Sequence, residues 1–90
     1  MEIIFTRQAE KDLQYWKRTG NKAIMERITT LLKDIALHPY IGIGKPEPLR
    51  YELSGYWSRR INSEHRIIYT VNDDTVVVYV LSMRHHYTRK

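Results

Sequence analysis

Cysteine is absent from the 90 residues, which removes disulfides and thiolate metal sites and ties the chain to no oxidising compartment. No apolar run approaches the ~20 residues that cross a bilayer, so no membrane partner is expected. No secretory leader is visible, since Met1–Phe5 runs straight into Arg7, Glu10, Lys11 and Asp12, and the expected location is cytoplasmic. Repeats, low-complexity tracts and linkers are also missing. Residues 1–90 are therefore expected to form one domain with a modest single core. Negative charge is the scarcer sign: ten Asp/Glu stand against fifteen Lys/Arg, a formal net charge of +5. That surplus suits an anionic partner such as nucleic acid or an acidic protein, and it equally suits a small domain kept dispersed by charge.

What is present reads as alternating structure. Glu2-Ile3-Ile4-Phe5 is a short strand. Thr6 is a fair N-cap for a helix with Ala9, Leu13 and Trp16 on one stripe, and Gly20 is placed to end it in a left-handed conformation. Asn21 can cap a second helix carrying Ile24, Ile28, Leu31, Leu32 and Ile35. That helix stops near Leu37, because Pro39 disfavours helical geometry at His38. Tyr51–Ser54, Trp57–Ile61, Arg66–Val71 and Thr75–Met83 read as the strands of a meander. Gly55 turns the chain after the first, and Asn72-Asp73-Asp74 precedes the last. The predicted fold is α+β: an N-terminal strand and a helical hairpin on one face of a twisted antiparallel sheet, with the opposite face free for a ligand.

Two features concentrate chemistry. Between Pro39 and Arg50, three prolines and two glycines exclude regular structure. Glu47 there lies between Pro46 and Pro48, which restrict its backbone; this describes a carboxylate held ready for use, or merely a stiff loop. Further on, a loop at Asn62-Ser63-Glu64 would set Arg60 opposite Arg66, two like charges that destabilise a sheet. An anion gripped between them removes the conflict, as would another register or separate carboxylate partners.

The tail, Arg84-His85-His86-Tyr87, follows the most apolar run and delivers groups that exchange protons near neutral pH. A metal site at His85 and His86 is not expected, since adjacent side chains point apart and a third ligand is missing. Metal-free RNA cleavage needs a base for the ribose 2′-OH, a cation for the phosphorane and an acid for the leaving 5′-oxygen. Glu47, Arg66 helped by Arg60, and His86 match those roles, and Tyr87 would orient the phosphate or stack on a base. No cofactor is called for. Singly, each residue has a plain structural explanation as a solvated group. His38 and His65 read as helix-end and strand-edge residues, and Tyr15, Trp16 and Trp57 as packing surface.

Gly44-Lys45-Pro46-Glu47-Pro48-Leu49, Leu53-Ser54-Gly55-Tyr56-Trp57-Ser58-Arg59-Arg60-Ile61, Glu64-His65-Arg66-Ile67-Ile68-Tyr69 and His86-Tyr87 together resemble the YoeB/Txe branch of the RelE/ParE toxin superfamily. The likeness spans essentially the whole chain. It implies a RelE-like, microbial-ribonuclease-like fold and a toxin of a bacterial type II toxin–antitoxin pair. Such a toxin enters the A site of the 70S ribosome, cuts the mRNA there and inhibits translation, leaving cyclic phosphate or 3′-phosphate and 5′-OH ends. By the same resemblance Glu47 is the general base, Arg66 the phosphate-binding arginine, His86 the general acid and Tyr87 the terminal aromatic. Arg50, Arg59 and Arg60 are further candidate RNA contacts. The implied partners are the ribosome, a YefM/Axe-like antitoxin with a disordered acidic segment, and a second copy of the chain in a homodimer, with corepression of the toxin's own operon. One departure is the trailing Thr88-Arg89-Lys90. The competing readings are a non-catalytic relative acting on gyrase, a branch that lacks the Glu47, Arg66 and His86 set, and a basic module that represses transcription or docks on rRNA.

Overall fold

The computed structural model describes residues 1–81. Its apolar centre is strand β5, Thr75–Val80, whose alternate residues Val76, Val78 and Val80 are fully buried. Strand β4, Arg66–Asn72, pairs antiparallel with it, and strand β1, Glu2–Phe5, pairs parallel on its other side. Strands β3, Trp57–Arg60, and β2, Glu47–Pro48, complete the order β1-β5-β4-β3-β2. The α+β class is as predicted, but the sheet is mixed. The meander strands are antiparallel, whereas β1 reaches the sheet through the helices, a connection long enough to allow parallel pairing.

The helical hairpin forms for the local reasons read from the sequence. Helix α1, Arg7–Thr19, starts where the Thr6 hydroxyl accepts the Ala9 N–H at 3.1 Å. It ends at Gly20, whose φ of 69° is open to a residue without a side chain and whose N–H donates to Lys17 O. Helix α2, Lys22–Leu37, starts where the Asn21 side chain accepts the Ile24 N–H at 3.1 Å. Ala9 and Trp16 of α1 and Ile24, Ile28, Leu31 and Ile35 of α2 are buried against Ile61, Ile67, Tyr69, Val76, Val78 and Leu81. Each fully buried aliphatic side chain there stabilises the fold by about 1.5–3 kcal/mol before entropy is counted. No described helix is long and apolar enough to cross a membrane.

The meander departs from expectation at its start. Tyr51–Leu53 is a turn of 3₁₀ helix rather than a strand, closed by the Leu53 N–H to Arg50 O and the Ser54 N–H to Tyr51 O. The pairing edge of β3 is taken by Glu47 and Pro48 instead, inside the stretch read as irregular, with Glu47 opposite Ser58 and Pro48 opposite Trp57. Proline is tolerated because β2 is an edge strand, with no outer neighbour among the described residues that needs its missing donor. The Leu49 N–H donates to Tyr56 O, so residues 50–55 are the loop of this hairpin and have no strand left to pair with. At the other end, β4 and β5 slip by one residue between Ile68 and Tyr69, so Tyr69 opposes Val78 while Ile68 opposes Val80. Strand β5 ends at Val80; Ser82 and Met83, expected to extend it, lie outside the described residues.

Candidate functional site on the helix-free face

Alternation along the strands decides which residues share a face. Ile61, Ile67 and Tyr69 join the helices in the core, so Ser58, Arg60, Arg66 and Ile68 face the other way. Glu47 lies opposite Ser58, and Ser58 lies opposite Ile68, which puts Glu47 on that same helix-free face. The predicted loop is present: Ile61 N–H donates to His65 O, and the Asn62 side chain accepts from the N–H groups of Glu64 and His65. Arg60 and Arg66 are therefore direct cross-strand neighbours, as the register argument required. Among the described residues neither arginine has a carboxylate partner. From sheet spacings, Glu47 and Arg66 are separated by two inter-strand spacings and two residues along the strand, about 12 Å between Cα atoms. Side chains as long as Glu and Arg can close most of that gap on a bound phosphodiester. Glu47 and Arg50 are both exposed, and Arg50 follows directly on β2 and its Leu49.

The loop carrying Glu47 is held by a cluster on the opposite side of the sheet. Arg59, a candidate RNA contact by resemblance, is corrected here: it is 0% exposed and spends every N–H inside the protein. Its Nε donates to the Tyr69 hydroxyl at 3.1 Å. Its Nη1 donates to Asp34 at 2.6 Å and to Ile43 O at 2.9 Å, and its Nη2 to the carbonyls of His38 and Ile41. With all five donors used, none remains for a phosphate. Asp34 also accepts the Ile43 N–H, and the Tyr69 hydroxyl donates to Pro39 O. The hydrogen bond from Arg59, ahead of lesser effects, holds the Asp34 carboxyl below its usual range, whereas burial raises the Tyr69 hydroxyl above its own.

Asp34 and Tyr69 were not singled out by the sequence reading, yet two signals pointed to them. An acid in the last turn of α2 opposes the helix dipole, which suggests a cation holding it. Adjacent strand residues face opposite ways, so one of Arg59 and Arg60 had to enter the core, and Trp57 and Ile61 mark which. A second unforeseen contact fixes the end of β5: Asp12 accepts the Leu81 N–H at 3.0 Å and the Trp16 indole donates to Leu81 O at 3.2 Å. His65 packs edge-on against Trp16, with ring centroids 4.9 Å apart, and His38 follows α2, in agreement with their structural reading. His86 and Tyr87, candidate acid and terminal aromatic, lie outside the described residues.

A helical hairpin on one face of a five-stranded mixed sheet, with an acid and arginines on the other that have no carboxylate partner among the described residues, defines a class: a small α+β toxin of the RelE/ParE kind. Residues 5–87 match the family of YoeB-like toxins of bacterial type II toxin–antitoxin systems, and the chain belongs to that family. It is 49% identical over 89 residues to Toxin YoeB of Synechocystis sp., covering 99% of this chain and 100% of that protein. Among solved structures it is similar to the Staphylococcus aureus YoeB dimer, with a TM-score of 0.84 and 41% identity over 97% of this chain and 98% of that one. The heterotetrameric YoeB–YefM toxin–antitoxin complex from the same organism matches with the same TM-score, identity and coverage.

Proposed function

We propose that this toxin is a ribosome-dependent endoribonuclease that cleaves mRNA in the A site by acid–base catalysis without a metal. The observation that carries the reading is the shared face of Glu47, Arg60 and Arg66, with both arginines free of carboxylate partners among the described residues. In the proposed reaction Glu47 takes the proton from the ribose 2′-OH, and the 2′-oxygen attacks the adjacent phosphorus. The P–O5′ bond breaks as His86 protonates the departing 5′-oxygen, leaving a 2′,3′-cyclic phosphate and a 5′-OH. Arg66, helped by Arg60, stabilises the charge on the phosphorane, and Arg50 and Tyr87 contact the RNA. The ribosome enters because in-line attack needs three atoms nearly collinear, a geometry that flexible free mRNA rarely holds and a decoding site can impose. The similar S. aureus complexes support two further partners: a YefM-type antitoxin that blocks the face, and a second copy of the chain.

The deciding experiment incubates the protein with programmed ribosomes and maps new 5′ ends of the message. A cut within the A-site codon, absent from naked RNA, is expected. Glu47→Ala, Arg66→Ala and His86→Ala should each abolish toxicity while antitoxin binding stays measurable. Toxicity that survives all three changes would move the assignment to a non-catalytic binding protein.

A further inference from the structure

The path of residues 38–46 is not dictated by regular structure. It contains neither helix nor strand, yet it delivers Glu47 to the sheet. Its backbone is held at five points by three side chains from outside it. Arg59 of β3 takes the carbonyls of His38, Ile41 and Ile43, Tyr69 of β4 takes that of Pro39, and Asp34 of α2 takes the Ile43 N–H. One more bond, Arg60 N–H to Gly44 O at 2.7 Å, then ties the loop to β3 just before Glu47. The fit is tight at Gly42, where a Cβ would stand 2.0 Å from the Asp34 carboxylate and 3.3 Å from Arg59 Nη1.

A buried guanidinium–carboxylate pair is a poor way to gain stability, since apolar residues of equal volume often do as well or better. What it provides is direction: a planar fork with fixed donor angles sets several carbonyls at once. Arg59 and Arg60 are adjacent and face opposite sides of the same strand. The strand that presents Arg60 to the helix-free face thus also carries the anchor of the loop that presents Glu47.

We propose that Arg59, Asp34 and Tyr69 are positioning residues for cleavage: by setting the course of residues 38–46 they hold the Glu47 carboxylate in register with Arg60 and Arg66. None of the three touches substrate. The inference rests on the nuclease reading above and adds to it a set of residues beneath the site. Misplacing a catalytic group by about 1 Å can cost on the order of a hundredfold in rate, so a loosened loop should be felt in the chemical step.

The test uses Tyr69→Phe, which keeps the core volume and removes only the hydroxyl between Arg59 Nε and Pro39 O. Single-turnover cleavage on programmed ribosomes is measured against ribosome concentration, beside amide hydrogen exchange of residues 38–46. The expected result is faster exchange in that loop and a maximal rate lowered at least about tenfold, with the half-saturating ribosome concentration unchanged. Val76→Ala, which removes core volume on β5 away from the loop, serves as the control and should leave the maximal rate within about twofold at a temperature where it is folded. Asp34→Asn, read in the same way, replaces Tyr69→Phe if that variant does not fold. Unchanged loop exchange, faster exchange with an unchanged rate, or an equal loss in Val76→Ala would each overturn the inference and leave the nuclease reading standing. An unaltered protein that cleaves nothing on the ribosome removes both.

Discussion

Asp34→Ala puts a magnitude on the buried cluster. The substitution takes the only charged partner among the described residues from a guanidinium that is 0% exposed, and it also strips the Ile43 N–H of its acceptor. Breaking a buried pair by deleting one member costs about 3–5 kcal/mol, because the surviving charge stays desolvated. The Asp34 side chain is 22% exposed, so water can reach the vacated side and the lower end, about 3 kcal/mol, is expected. For a chain of this length total stability is on the order of 5–13 kcal/mol, so the loss is a substantial share. With an unfolding entropy of about 2.1 cal/mol/K per residue, it lowers Tm by about 15 °C. Thermal circular dichroism at pH 7 reads this directly, and urea unfolding gives the free energy. Asp34→Asn, which keeps an acceptor in place, should lose about half as much. If Asp34→Ala melts within about 3 °C of the parent, the buried-cluster argument is wrong, since a change that small belongs to an ordinary surface position.

The same pair predicts a pH dependence. The folded-state pKa of Asp34 lies below its ordinary 3.8, so its contribution is complete above that value and is lost as pH falls through the folded value; Asp34→Asn should flatten the acid limb of a stability–pH curve. Tyr69 is shifted the other way, so its share is complete below its ordinary 10.0 and is lost as pH rises through the folded value, an alkaline loss that Tyr69→Phe should remove. Trp16→Phe leaves Leu81 O without its indole donor and opens a small cavity, for a cost of about 1–3 kcal/mol in urea unfolding. Gly42→Ala combines a φ of 126° with a Cβ set against Asp34, and should cost at least about 2 kcal/mol and speed exchange of the Ile43 amide.

Legibility followed the range of the interaction. Thr6, Gly20 and Asn21 mark helix ends through bonds spanning three residues, and each was readable from its neighbours. The Arg60 and Arg66 pairing was readable for the same reason, because a short loop leaves few registers. The first meander strand was misplaced because Tyr51-Glu52-Leu53 looks like a strand locally, whereas the edge of β3 was already filled by Glu47 and Pro48. Alternation could have assigned Arg59 to the core, but an arginine is read as a surface residue until its partners are known.

Taken alone, then, the order of residues settled the helix caps, the apolar stripes, the hairpin that opposes two arginines and the likeness to a toxin family. Tertiary structure decided that Arg59 serves the fold while Arg60 and Arg66 are left on the helix-free face. The partners of Arg59 lie 10, 16, 18, 21 and 25 residues away, on one strand, a helix and a loop. No local pattern encodes such a meeting. It exists only once the sheet has formed and α2 has packed across it, when a buried guanidinium must find acceptors for all five of its N–H groups.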